Sequence, residues 1–245
     1  MDLDLKNRVV IITGAASGIG RATAQLLHKE GANIALIDLS EEGLKETVSQ
    51  WDNGYRLYPA DLTDFSIIPK IIKDIAQDWG PIYGFVHCAG ISSRKPLNVL
   101  RPEGFSKVMD VNFYAFEEFV RALMKRGNYI EGGKIVVMSS ISSIRGFKAK
   151  TEYCVSKAAV DAFVRCMAVE LAPKKICINS VMASEVLTSM AIKAKEMNLS
   201  DTEYQTPLGP SQPEEIANVI AFLLSNNLKT MTGSSVVVDG GALQV

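Results

Sequence analysis

The sequence predicts an α/β fold in which a seven-stranded parallel sheet is doubly wound, with helices on both faces in a single domain. Three observations carry this expectation. Short β-branched runs alternate with helical stretches along the chain, a glycine-rich turn follows the first run, and 245 residues suffice for one core between two helix layers.

The first run, Arg8 to Thr13 (RVVIIT), ends in glycines, and Gly18 to Glu30 then places Ile19, Ala22, Leu26 and Leu27 at helical spacing. A second strand at Asn33 to Ile37 precedes a helix opened by Ser40, with Glu41 and Glu42 where the helix dipole favours acids. Further strands fall at Tyr55 to Pro59 and Ile82 to His87, on either side of a helix over Phe65 to Trp79. One helix is expected from about Pro102 to Gly127, followed by the strand Lys134 to Met138. A helix from about Thr151 leads to the strand Ile176 to Val181. After a polar, irregular stretch, with a lid region at about 183–212, Pro213 with Glu214 and Glu215 opens a helix through Leu224, and Ser235 to Asp239 is the last strand. Strands separated by helices of this length run parallel through right-handed crossovers. Ligands of such sheets bind beyond the carboxyl ends of the strands, where strand order reverses.

Composition narrows the function classes. A formal net charge of −1, with Lys and Arg dispersed, lacks the one-sided basic face that a phosphate backbone requires, so nucleic acid is not an expected partner. Met1 to Arg8 has no signal-peptide order, and no uncharged apolar run reaches the roughly 18 residues of a membrane span. No membrane association is expected. Cys88, Cys154, Cys166 and Cys177 lack metal-ligand spacing and are expected to be reduced thiols in a cytoplasmic protein; no metal site is predicted.

The loop after the first strand reads Thr13-Gly14-Ala15-Ala16-Ser17-Gly18-Ile19-Gly20. Glycines at this spacing let backbone approach a pyrophosphate that the N–H groups of the next helix attract, although an ordinary strand-to-helix turn looks similar. Asp38 ends the second strand about 20 residues on, where a carboxylate can accept bonds from the adenosine ribose hydroxyls. The bland alternative is a solvated strand end. A 2′-phosphate would be repelled there, and neither Leu39 nor Ala16 and Ser17 supplies a compensating cation, so NAD is the expected coenzyme.

Tyr153 and Lys157 are four apart on a predicted helix and project from one face. A free phenol, with a reference pKa of ~10, is a poor acid/base at neutral pH, and a neighbouring ammonium favours its anion. The same spacing also occurs in ordinary surface helices. Ser140, just past the strand Lys134 to Met138, could hold a substrate oxygen, with Ser139, Ser142 and Ser143 as competitors. His28 and His87 offer no convincing base for a nucleophilic serine. Met190, Met197 and Tyr204 read equally well as a pocket wall or as the buried side of a short helix, while Ala158, Ala162, Phe163 and Met167 read as packing positions.

In combination these segments resemble the short-chain dehydrogenase/reductase family, with its Rossmann-type sheet, over essentially the whole length. Thr13-Gly14-x-x-x-Gly18-Ile19-Gly20 resembles its coenzyme loop, Asp61-Leu62 its adenine-flanking pair, and Cys88-Ala89-Gly90 occupies the place of Asn-Ala-Gly. Asn112, Ser140, Tyr153 and Lys157 match the family's catalytic tetrad. The ending, Pro207-Leu208-Gly209 through Val238-Asp239-Gly240-Gly241, is similar to that of 3-oxoacyl-carrier-protein reductases and their sugar- and alcohol-oxidising relatives. The resemblance implies that Tyr153 is the acid/base in hydride exchange with an alcohol or carbonyl compound, and that Lys157 favours the phenolate and holds the nicotinamide ribose. It implies that Ser140 orients the substrate oxygen and that Asn112 ties Lys157 to a water chain. Val186 and Thr188 are expected beside the nicotinamide, and a homotetramer is implied. Three positions depart from the pattern: Cys88 replaces Asn, Ala183-Ser184 stand where relatives have Pro-Gly, and Pro210 stands where carrier-protein reductases place Arg. A coenzyme-binding scaffold without useful turnover is the rival from another class, and the intact tetrad speaks against it.

Overall fold

The computed structural model describes residues 2–188, 191–192 and 205–245, and contains one sheet of seven strands, all parallel. In chain order these are β1 (Val9–Thr13), β2 (Asn33–Asp38), β3 (Tyr55–Pro59), β4 (Ile82–His87), β5 (Tyr129–Ser140), β6 (Cys177–Ala183) and β7 (Ser235–Val238). Their order across the sheet is β3-β2-β1-β4-β5-β6-β7. Strand order therefore reverses between β1 and β4, which pair with Thr13 opposite His87.

The helices are α1 (Gly18–Lys29), α2 (Glu41–Thr47), α3 (Ile68–Trp79), α4 (Pro102–Met109), α5 (Ala115–Leu123), α6 (Thr151–Leu171) and α7 (Pro213–Leu224). Strand alternation divides the apolar residues between two layers. Ile11, Ile37, Phe85, Val137 and Ile178 face α3, α5 and α6, whose Ile72, Phe116, Phe119, Val160 and Val164 close that side. Ile12, Leu36, Val86, Val136 and Val181 face α1, α2 and α7 through Leu27, Leu44, Ile216 and Ile220. Truncating any one of these buried side chains to Ala would cost about 2–5 kcal/mol, so each layer independently fixes the sheet against its helices.

Three expectations are corrected. The single helix expected over 102–127 is two helices, α4 and α5, joined by a π-helical turn at Asp110–Tyr114 and ending at Leu123. A single π turn shifts the register of the helix by one residue within a continuous helical stretch, too brief a change for apolar spacing to separate the two helices. β5 begins at Tyr129 rather than Lys134, passing through Gly132 and Gly133. On α6 the packing position expected at Ala162 is exposed, whereas Phe163 and Met167 pack half-buried against the core beside the buried stripe of Val160, Val164, Ala168 and Leu171. Met190, Met197 and Tyr204 lie outside the described residues. No helix among the described residues is long and apolar enough to cross a membrane.

Candidate active site

The carboxyl ends of the strands open onto a cleft of about 520 Å³, a size suited to a nucleotide-bearing ligand. Gly14, Ser17, Gly18, Ile19, Gly20, Asp38, Leu39, Asp61, Leu62, Cys88, Ala89, Gly90, Ser140, Tyr153, Lys157, Val186 and Thr188 all line it. One continuous surface thus joins the expected coenzyme positions to the expected reacting groups.

At one end the backbone itself is the binding surface. Gly14 has φ +67°, and a Cβ there would sit 2.7 Å from the Ala89 nitrogen; at Gly20 a Cβ would meet the Gly14 carbonyl oxygen at 2.1 Å. Only glycine lets the β1 loop close against the β4 loop and lets α1 start beneath it. Helix α1 has no side-chain cap, in contrast to α2, where Ser40 Oγ accepts from the Gly43 N–H, so its first N–H groups remain available at the cleft wall for an anion. Asp38 is oriented by two backbone donors: Oδ2 accepts from the Ala16 N–H (3.1 Å) and Oδ1 from the Ser40 N–H (3.0 Å). Arg21, the nearby cation, is engaged with the Ala16 and Gly43 carbonyls, Thr47 Oγ1 and Glu46. Asp61 Oδ1 accepts from both the N–H and the hydroxyl of Thr63, which holds its carboxyl below the usual range. The glycine approach, the uncapped helix and the oriented carboxylate fit a dinucleotide.

At the other end, the Lys157 ammonium lies 5.6 Å from the centre of the Tyr153 ring and donates to the Met138 carbonyl at 2.8 Å. Burial pushes Lys157 down to about 8, opposed chiefly by Asp161, so the charged form still leads by roughly tenfold at pH 7. Ser140 Oγ accepts from the Ser142 N–H at 3.1 Å and lies 3.1 Å from Ser142 Oγ, which fixes it at the cleft wall. Its competitors have other partners or positions: Ser139 Oγ donates to Asp161, and Ser143 is not among the residues lining the cleft.

Asn112 is fully buried behind the cleft, in the π turn. Its Oδ1 accepts from the Ile91 N–H (2.8 Å), and its Nδ2 donates to the Ile91 carbonyl (3.0 Å) and to Ser156 Oγ (2.9 Å). Both amide donors are thereby used. This side chain staples the loop after β4 onto α6. Ser156, the Ser of the Tyr-x-x-Ser-Lys segment, passes the staple on by donating to the Tyr153 carbonyl.

Two titratable groups beside Lys157 are held neutral. His87 Nδ1 pairs with Thr13 Oγ1 at 2.9 Å, and burial together with the Lys157 charge pushes the ring down to about 3. Burial pushes the Cys88 thiol up to about 12. Neither is a base at neutral pH, as the sequence implied for His87.

Two buried carboxylates on α6 were not foreseen. Glu152 accepts from Ser93 Oγ and from Lys95 Nζ, tying the loop after β4 to the first turn of α6. Asp161 lies one turn beyond Lys157 and accepts from Ser139 (2.8 Å) and Ser180 (2.6 Å). Continuing the Tyr153–Lys157 spacing by four residues would have found Asp161.

The family described as Enoyl-(Acyl carrier protein) reductase matches residues 14–242. The chain is 34% identical to a 3-oxoacyl-[acyl-carrier-protein] reductase of Thermotoga maritima, covering 97% of this chain and 98% of the relative. It is 30% identical to an NAD-dependent glycerol dehydrogenase of Listeria innocua, over 98% of this chain and 95% of the relative. Among solved structures, a short-chain dehydrogenase/reductase from Brucella melitensis, titled glucose/ribitol dehydrogenase, superimposes with a TM-score of 0.91 at 30% identity, covering 99% of each chain.

The Cys88 environment makes a prediction. At pH 8 a thiol pushed up to about 12 is almost wholly protonated, so iodoacetamide should alkylate exposed Cys166 in the native protein and spare Cys88. Peptide mass mapping reads the result, and equal labelling of the two would contradict the buried, neutral thiol.

Proposed function

The chain belongs to the short-chain dehydrogenase/reductase family, and on that premise we propose that it exchanges hydride between a nicotinamide dinucleotide and an alcohol or carbonyl substrate, with Tyr153 as acid/base. The observation that supports this most directly is the Lys157 ammonium held 5.6 Å from the Tyr153 ring, in the same cleft as Ser140 and the glycine loop. The bound coenzyme supplies the hydride donor or acceptor. Tyr153 gives its proton to the substrate oxygen in reduction and takes one in oxidation. Lys157 stabilises the phenolate, and its buried setting strengthens that attraction relative to water. Ser140 donates its hydroxyl to the same substrate oxygen, stabilising negative charge as it develops there. Asn112 acts at one remove by bracing Ile91 and α6, the two sides between which the substrate enters.

Preference for NAD(H) over NADP(H) is part of the proposal. The Asp38 carboxylate is fixed by two N–H groups, Leu39 beside it is exposed and uncharged, and Arg21 is spent on α2. A 2′-phosphate would meet an anion with no cation to offset it. For the substrate, reduction of 3-oxoacyl compounds and oxidation of sugars or polyols both fit the named relatives. The hydroxyls of Ser92, Ser142 and Ser184 in the cleft, with Pro210 in place of an Arg, favour the polyol reading. We also propose a cytoplasmic homotetramer. Exposed Val155 and Val169 on α6, Phe222 on α7 and Val237 on β7 supply apolar surface on two faces, and the four free cysteines suit a reducing compartment.

Three outcomes are expected. Replacing Tyr153 with Phe removes turnover by at least ~10²-fold, the scale of a lost general acid/base, while NADH binding measured by fluorescence titration persists; near-normal turnover in a screen of β-ketoacyl esters, sugars and secondary alcohols would refute the role. In the same screen kcat/KM is higher with NADH than with NADPH, and the reverse order would end the coenzyme assignment. Sedimentation equilibrium gives four chain masses, whereas a single chain mass would dismiss the tetramer.

A further inference from the structure

Helix α6 carries three polar side chains on one stripe, each a turn after the last: Tyr153, Lys157 and Asp161. The first two meet the cleft. Asp161 does not line it, is 2% exposed, and points into the layer between α6 and the sheet. A carboxylate in such a place requires compensation. Here its partners are hydroxyls from three adjacent strands: Ser139 of β5 donates to Oδ2 at 2.8 Å, Ser180 of β6 to Oδ1 at 2.6 Å, and Ser235 of β7 stands 3.4 Å from Oδ1 and 2.9 Å from Ser180 Oγ. No Lys or Arg forms an ion pair with it among the described residues, so its charge is solvated by the hydroxyls rather than cancelled, and remains available to act on the ammonium one turn away.

We propose that Asp161 is a positioning residue: its buried carboxylate, held by the serine hydroxyls, keeps the Lys157 ammonium charged and so controls how readily Tyr153 ionises. This rests on the assignment of Tyr153 and Lys157 as the reacting pair. Lys157 itself is 4% exposed, and its direct bond goes to the neutral Met138 carbonyl. The titratable groups that bear on it from neighbouring elements are Tyr153 and Asp161 on α6 and His87 and Cys88 at the end of β4. His87 is neutral at working pH, and the Cys88 thiol is protonated. Asp161 is therefore the one anion in this set besides the phenolate that must form. Ser139 gives the carboxylate a second effect, because its bond anchors the strand residue directly before Ser140.

The test needs no substrate. Tyrosinate absorbance of the full-length protein is titrated with pH, and the Tyr153 step is identified as the one missing in Tyr153→Phe. In Asp161→Asn, which keeps the shape and a hydrogen-bonding amide but removes the charge, that step moves to higher pH, because the Lys157 ammonium that favours the phenolate loses the carboxylate supporting its charge. A folded Asn variant whose Tyr153 step stays where the wild type has it overturns the proposal, even if its melting temperature falls. Should Asp161→Asn fail to fold, Asp161→Ser serves instead: it also removes the charge while keeping a hydrogen-bonding group, the step again moves to higher pH, and an unmoved step is again fatal. If Tyr153→Phe removes no separable step, the reacting pair itself is wrong, an outcome distinct from an immobile step in the Asp161 variant, and the proposal falls with it.

Discussion

The cleft is organised around a positive charge kept in a dry place. Burial disfavours the Lys157 ammonium by on the order of 3 kcal/mol, the equivalent of its displacement from 10.5 to about 8. A surface lysine would bear no such cost, but it would also be screened and would give a neighbouring phenol little help. The surrounding structure limits the cost without cancelling the charge. The Met138 carbonyl accepts a hydrogen bond, Asp161 adds attraction from behind, and His87 and Cys88 stay neutral.

Much of what positions that charge comes from backbone and from polar staples rather than from the apolar layers. Thr13 Oγ1 links His87 to the Ala89 N–H, joining the ends of β1 and β4 at the point where strand order reverses. Asn112 and Ser156 join the next loop to α6, and Glu152 joins the same loop to the first turn of that helix through Ser93 and Lys95. The helix bearing Tyr153 and Lys157 is thus tied on both sides to the chain segment Ile91 to Lys95. A loop held this way offers rigid walls to a substrate, which is what orientation of a reacting oxygen requires.

The fold was legible because its signals are local and repeated. Every strand of the sheet was anticipated from the alternation of short apolar runs with helical stretches, with β5 alone starting well before its expected residue, and the glycine loop and Tyr-x-x-Ser-Lys segment marked both ends of the cleft. What escaped was information that sequence periodicity does not carry. The π turn that delivers Asn112 is a one-residue register shift inside a continuous helical stretch, and the first residues of β5 include Gly132-Gly133, which carry no β-branched signal. Acidic residues on helices are solvated by default, so Glu152 and Asp161 read as surface until the structure buried them. Ser140 stood out from its serine neighbours only by resemblance, since the choice depends on which hydroxyl a distant helix occupies.

Two of the departures from the family pattern, at Ala183-Ser184 and at Cys88, lie in segments held by specific hydrogen bonds. At Ala183-Ser184, where Pro-Gly is absent, Ser184 Oγ donates to the Asp239 carbonyl, and Val186 forms a bridge to Ser211. The bridge is closed from both sides, with Leu187 N–H donating to the Ser211 carbonyl and Ser211 N–H to that of Glu185. Thr188 is thereby delivered to the cleft wall, close enough to Gly18 that a Cβ there would meet its methyl group at 2.9 Å. At Cys88 an amide able to make several hydrogen bonds is replaced by a thiol able to make almost none. The bracing passes to Asn112 and Thr13, whose bonds to the Ile91 and Ala89 backbone bracket Gly90. The requirement that persists through both changes is a fixed backbone on each side of the Lys157 ammonium, because a charge desolvated at this cost helps the phenol only while the two remain in register.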